Sequence, residues 1–212
     1  MLNNWNFWLS LITAITAILA VVLSVEQIRL SNKQHLFERR LNAYMIVSGL
    51  VGLYQEHRNL IERKREDEPQ YAIDHEFIWL TNNAYMEAQS EVIVHPLEQP
   101  YQKEFLQKRE ELRSLATEIR LIFKSPVNEL YGKFIECYEV TLFRMYQYQI
   151  VIDRMMKENE KTPMTREELQ KIFPEKEQRL IMYDAMEELK VSYKALIDQK
   201  ADEKITKYIR LK

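Results

Sequence analysis

The stretch FWLSLITAITAILAVVLSV, residues 7–25, holds no charged side chain, in a chain that is 29% Asp, Glu, Lys and Arg. As a helix rising about 1.5 Å per residue it reaches about 28 Å, close to the ~30 Å hydrocarbon thickness of a bilayer. The segment therefore reads as a transmembrane helix. Trp5, Phe7 and Trp8 gather at its N-terminal end, where aromatic rings sit well among headgroups. No Lys or Arg precedes the span, whereas Arg29, Lys33, Arg39 and Arg40 follow it closely. Basic flanks stay on the cytoplasmic side, so the expected topology is N-terminus outside and C-terminal bulk in the cytoplasm. A cleaved signal peptide would need a basic n-region, and the first eight residues offer no basic side chain.

Beyond the span the composition favours helices. Of 212 residues only three are Gly and six Pro, with 46% hydrophobic content, which fits one modest domain behind an anchor. A net charge of −2 gives no reason to expect nucleic-acid binding. The single cysteine, Cys137, excludes an internal disulfide and suits a reducing compartment.

Apolar residues then recur at threes and fours. Leu36, Phe37, Leu41, Tyr44, Val47, Leu50, Val51 and Tyr54 predict a long helix from about residue 32 to residue 66. The uncharged run 41–54 is too short for a second pass and fits a core helix. After Pro69, Asp74 is the expected N-cap of a helix running to about Val94. A third helix is expected over about 100–124, its inner face carrying Leu112, Leu115, Ala116, Ile119, Ile122 and Phe123. Ser125 as N-cap and Pro126 at the first helical position open the most apolar helix, expected to lie centrally. Thr165 and Glu168 form an expected capping box for a short helix ending near Pro174. A last long helix follows, its final turns bearing Lys200, Lys204, Lys207, Arg210 and Lys212. That charge suits the helix dipole, or else a return to anionic lipid.

The fold class expected is all-α, an N-terminal transmembrane helix followed by a cytoplasmic bundle of about four long helices and one short one. The division runs 1–6 outside, 7–25 span, 26–35 basic connection, and 36–212 bundle.

Two stretches carry a resemblance. LFERRLNAY, residues 36–44, and LATEIRLIFKSPVNELY, residues 115–131, resemble recurrent patterns of uncharacterised bacterial single-pass membrane proteins. The resemblance implies the architecture, a bacterial or phage origin and hence an inner-membrane location; it implies no active site. Physically, Phe37, Leu41 and Tyr44 share a helix face, while Arg39 and Arg40 are expected near the membrane phosphates, either as ordinary core-side snorkelling arginines or in direct lipid recognition.

Catalytic signatures are scarce. Glu87, Glu91 and His95 stand at four-residue intervals on an expected helix and would align two carboxylates and an imidazole, yet the chain has no Glu-x-x-His pair for a helical di-metal site. Arg29 and His35 match the loose spacing of helical ribonucleases of the HEPN type, but Leu30 replaces the polar residue expected after the arginine, and Arg29 lies beside the headgroups. No Gly-rich phosphate loop, activated nucleophile or cysteine pair is present. No enzyme, cofactor or metal is therefore expected.

The span itself carries a pattern. Ser10, Thr13, Ala17, Ala20 and Ser24 are spaced three, four, three and four, a stripe of small side chains that lets helices approach closely. The leading expectation is an interaction or scaffold protein with the lipid bilayer, a second copy of the span and a cytoplasmic protein as partners. Trp5, Trp8, Arg29, Lys33, Arg39 and Arg40 would lie at the membrane interface. The alternatives are a pore-type effector whose Ser and Thr line a lumen, and a membrane-tethered nuclease or hydrolase.

Overall fold

Apolar periodicity and scarce helix breakers make most of the described residues helical, with no strand among them. The computed structural model describes residues 2–62 and 68–209. The expected helix end near Glu66 and the basic positions Arg210 and Lys212 lie outside these.

Helix α1 runs unbroken over Leu2–Ile61, 60 residues. Its N-terminal part is long and apolar enough to cross a membrane, and none of its most apolar window is buried. Residues 26–35, expected as a connection, are helical too, since neither Gly nor Pro occurs there to interrupt the backbone bonds. Burial begins at Ala43 and continues through Val47, Leu50, Tyr54 and Ile61, the spacing of one helix face. Gly49 and Gly52 do not end the helix.

α2 (Ile73–Thr81) is shorter than expected. Asp74 lies in its first turn instead of capping it, and Ala72 holds the N-cap position without a side-chain bond. The expected continuation to Val94 breaks at Asn83, whose Oδ1 accepts from the backbone N–H groups of Tyr85 and Met86. This Asx turn competes with the helix. The chain resumes as a 3-10 segment, Glu87–Ile93.

α3 (Tyr101–Ile122) matches its expected span to within about a turn. α4 (Asn128–Lys161) begins later than Ser125 would suggest, with Val127 at the N-cap position. Ser125 Oγ does accept from Val127 N at 3.4 Å, but Asn128 turns its side chain back to close α3, donating from Nδ2 to the carbonyls of Arg120 and Phe123. α4 is central: Tyr131, Phe134, Tyr138, Leu142, Met145 and Ile152 are buried, and α3 and α6 (Glu175–Asp198) flank it. The capping box expected at Thr165 and Glu168 is present and opens α5 (Arg166–Ile172).

The expected last helix is interrupted. Lys200 takes a left-handed conformation, φ 47°, and the chain turns into α7 (Ala201–Ile205) and a 3-10 turn, Thr206–Tyr208. Ala201 and Ile205 are buried, so the apolar pair returns this segment to the bundle.

Candidate functional site

Along α1, Ser10, Thr13, Ala17, Ala20 and Ser24 are all exposed on one face. Thr13 Oγ1 donates to Leu9 O at 2.9 Å and Ser24 Oγ to Ala20 O at 2.7 Å, so both hydroxyls are satisfied within the helix. Because the helix does not break, the stripe continues as Gln27, Ser31 and Gln34, with Glu26, Arg29 and Lys33 on the opposite side. Trp5 and Trp8 are exposed at the N-terminal end.

Residues 26–38 form a stalk in which nothing is buried. Arg29 pairs with Glu26 at 3.2 Å, and His35 Nδ1 lies 3.9 Å from Glu38. Arg29 and His35 point about 120° apart on this exposed helix, so the structure does not bring them together. Lys33 is exposed.

Arg39 and Arg40 are tied to the bundle. Fourteen and fifteen residues past Val25, they stand about 21–22 Å further along a straight helix. Arg39 donates from Nε and Nη2 to Glu118 Oε1, at 2.9 and 2.7 Å. Arg40 Nε donates to Ile122 O at 2.8 Å, and its guanidinium lies 6.0 Å from the Phe123 ring centroid. The two stretches singled out by resemblance therefore meet, and the arginines cap and clamp the end of α3.

A charged cluster stiffens the same corner. Arg120 holds Glu136 at 2.5 and 2.9 Å and Glu129 at 2.9 Å. It needs Gly132, where an added Cβ would lie 2.6 Å from Arg120 Nε. The Arg120 hydrogen bond holds the Glu136 carboxyl below its ordinary range, against the opposing effect of burial. Deeper, Glu139 is buried and receives Arg109 at 2.5 Å and Arg113 at 3.3 Å, with Arg109 stacked 3.3 Å over Phe143.

Tyr44, the last residue of the first stretch, donates to Asp202 Oδ1 at 2.6 Å and so ties α7 to α1. Burial, then the Asp202 carboxylate, pushes the Tyr44 hydroxyl up to about 12. Beside this bond lies a cavity of about 340 Å³. Tyr44, Ser48, Gly52 and Gln55 line it from α1, Tyr131 from α4 and Asp202 from α7. Val51, Leu196 and Ile197 form its apolar wall. Asp202 escaped the sequence reading because 158 residues separate it from Tyr44, and no periodicity spans that distance.

Glu87 and Glu91 fall on the 3-10 segment, where four residues turn about 480° and leave side chains about 120° apart. The alignment expected of an α-helix is lost. His95 instead lies 3.4 Å from Glu98 and stacks on Tyr101. Among the described residues no group of three or more His, Cys, Asp or Glu is placed to hold a metal ion.

No family model matches the chain, nor does any curated protein or solved structure.

Proposed function

We propose that this protein is a membrane-anchored helical scaffold that self-associates through α1 and binds a protein partner at the cytoplasmic face of a bacterial inner membrane. The observation that carries the reading is the exposure of α1. From Trp5 to Leu30 it is apolar for most of its length with no part of the bundle packed on it, and it enters the bundle without a break. Lipid is the solvent in which such a surface is stable.

A face of small residues running from Ser10 to Ser24, prolonged by uncharged Gln27, Ser31 and Gln34, supports parallel contact between two copies. All but one of the stalk charges before Arg39 stand off that face. Thr13 and Ser24 spend their hydroxyl protons on their own backbone, so the stripe has no need of a water-filled lumen.

Two differently tagged copies co-expressed in one membrane test the reading. The wild type should co-purify, and Ala17→Leu with Ala20→Leu should reduce co-purification severalfold while the protein still inserts. Wild-type copies that do not co-purify would remove self-association. Depolarisation by the wild type that the double variant abolishes would instead establish the pore-type effector.

A further inference from the structure

We propose that the contact between two copies of α1 does not end with the span but continues through the stalk and along the face of α1 that the bundle leaves open, as far as Gly52. The partner on that face is a second copy of this chain, packed parallel. This inference rests on the scaffold reading and extends it from lipid into water.

Three observations converge. The three-four spacing of Ser10 to Ser24 runs on without a skip past Gln34 to Glu38, Leu41, Met45, Ser48 and Gly52, the seam expected of two helices wound in parallel. At about 100° per residue, Met45 and Gly52 stand about 200° around the helix from the buried Ala43 and Leu50, so the seam keeps to the side away from the bundle. Met45 is 63% exposed there, and Ser48 and Gly52 are exposed beside it. The second observation is the placing of charge in and after the stalk. Glu26, Arg29, Lys33, Arg39 and Arg40 all fall off the seam, whereas the exposed aliphatic side chains Ile28, at 60%, and Leu30, at 58%, flank it on its two sides. Flanking side chains of that kind are covered when a second helix packs on the seam. The third is Gly52, where an added Cβ would meet nothing within 4 Å. A glycine weakens a helix interior, and this one serves no packing within its own chain; it lets a second helix approach closely.

The area selects the occupant. From Ser10 to Gly52 the seam is about 63 Å long, and a strip about 10 Å wide on each copy buries roughly 1,300 Å² in total. Stable protein interfaces bury about 1,200–2,000 Å². The stretch from Ser10 to Ser24 supplies only about a third of that strip, so the contact reaches the size of a stable dimer when the stalk and the open face of the bundle join it. Glu38 is the one charge on the seam, and a polar residue at such a place fixes the register of two helices at a cost in stability.

The test uses the full chain in the membranes of the expressing cell, with single cysteines in a Cys137→Ser background oxidised by copper phenanthroline. Facing seam positions bring their Cα atoms within disulfide reach, about 4.4–6.8 Å. Ala20→Cys, Ser31→Cys and Gly52→Cys should each give disulfide-linked dimers, and Arg29→Cys, about 200° around the helix from Ser31, severalfold fewer. Met45→Glu, at a position the fold leaves exposed, should lower the co-purification of two tagged copies severalfold with an unchanged circular dichroism spectrum. Linkage at Ala20→Cys without linkage at Gly52→Cys would overturn this inference and leave self-association through the span standing. Equal linkage at Arg29→Cys and Ser31→Cys, the mark of random collision, or undiminished co-purification of Met45→Glu would overturn it as well. Linkage at none of the positions would remove the scaffold reading together with it.

Discussion

The two halves of α1 follow different rules. Over residues 5–30 every side chain is exposed, including Ile12, Ile18, Leu19 and Leu23, while from Ala43 to Ile61 one stripe is buried and the other faces stay open. A helix apolar all round suits lipid, and one apolar along a stripe suits a water-facing bundle. The change occurs across residues 26–38, and the arginines that follow mark where the bundle takes hold. Apolar content alone therefore distinguishes nothing between the run at 7–25 and the run at 41–54; the arrangement around the helix does.

The largest effect should come from removing a side chain on the buried stripe. Leu50→Ala, at a fully buried position, should cost the bundle about 2–5 kcal/mol in denaturant unfolding followed by tryptophan fluorescence. Leu19→Ala, on the exposed half, should leave the same transition unmoved. Equal effects at the two positions would break the contrast between the halves.

Much of this architecture was legible. Residues 7–25 announced a possible span because charge is absent, α3 and α5 were readable from an apolar face and a capping box, and α4 was recognisable as the central helix. What could not be read involves contacts across the chain. Arg39 meets Glu118 and Tyr44 meets Asp202 at separations of 79 and 158 residues, where no local rule operates. The two other breaks were missed for local reasons. Asn83 caps its own turn, and Lys200, a residue type that rarely adopts positive φ, holds the place glycine usually takes after a helix.

A smaller, opposite effect follows at that second break. Lys200→Gly should stabilise the protein by about 1 kcal/mol, since it removes the Cβ clash of the left-handed conformation at φ 47°. Thermal unfolding monitored by circular dichroism would register it. A destabilisation there would mean that the turn which brings α7 back to α1 depends on the lysine side chain.

Smaller still is the acid response of the corner beside Gly132. Glu136 titrates below its ordinary range in the folded state, so its contribution is present above the unfolded carboxyl pKa and lost as pH falls. The loss should set in below about pH 4.3. Its side chain is 41% exposed, so solvent screening keeps the pair to about 1 kcal/mol or less. Glu136→Gln should flatten that part of the stability profile and leave neutral pH nearly unchanged. An unaltered acid limb would place the sensitivity elsewhere.

The central claim is that one rigid helix carries the span into the bundle through residues 26–38. Val22 and Met45 are both more than half exposed and lie on either side of the stalk. Nitroxides placed at Val22→Cys and Met45→Cys in a Cys137→Ser background, diluted with unlabelled protein in a bilayer, report their separation by pulsed electron resonance. A continuous helix predicts one narrow distribution centred near about 35 Å, from 23 residues at ~1.5 Å each. A broad distribution, or a centre at about 25 Å or below, is what a hinge would give and would contradict the account.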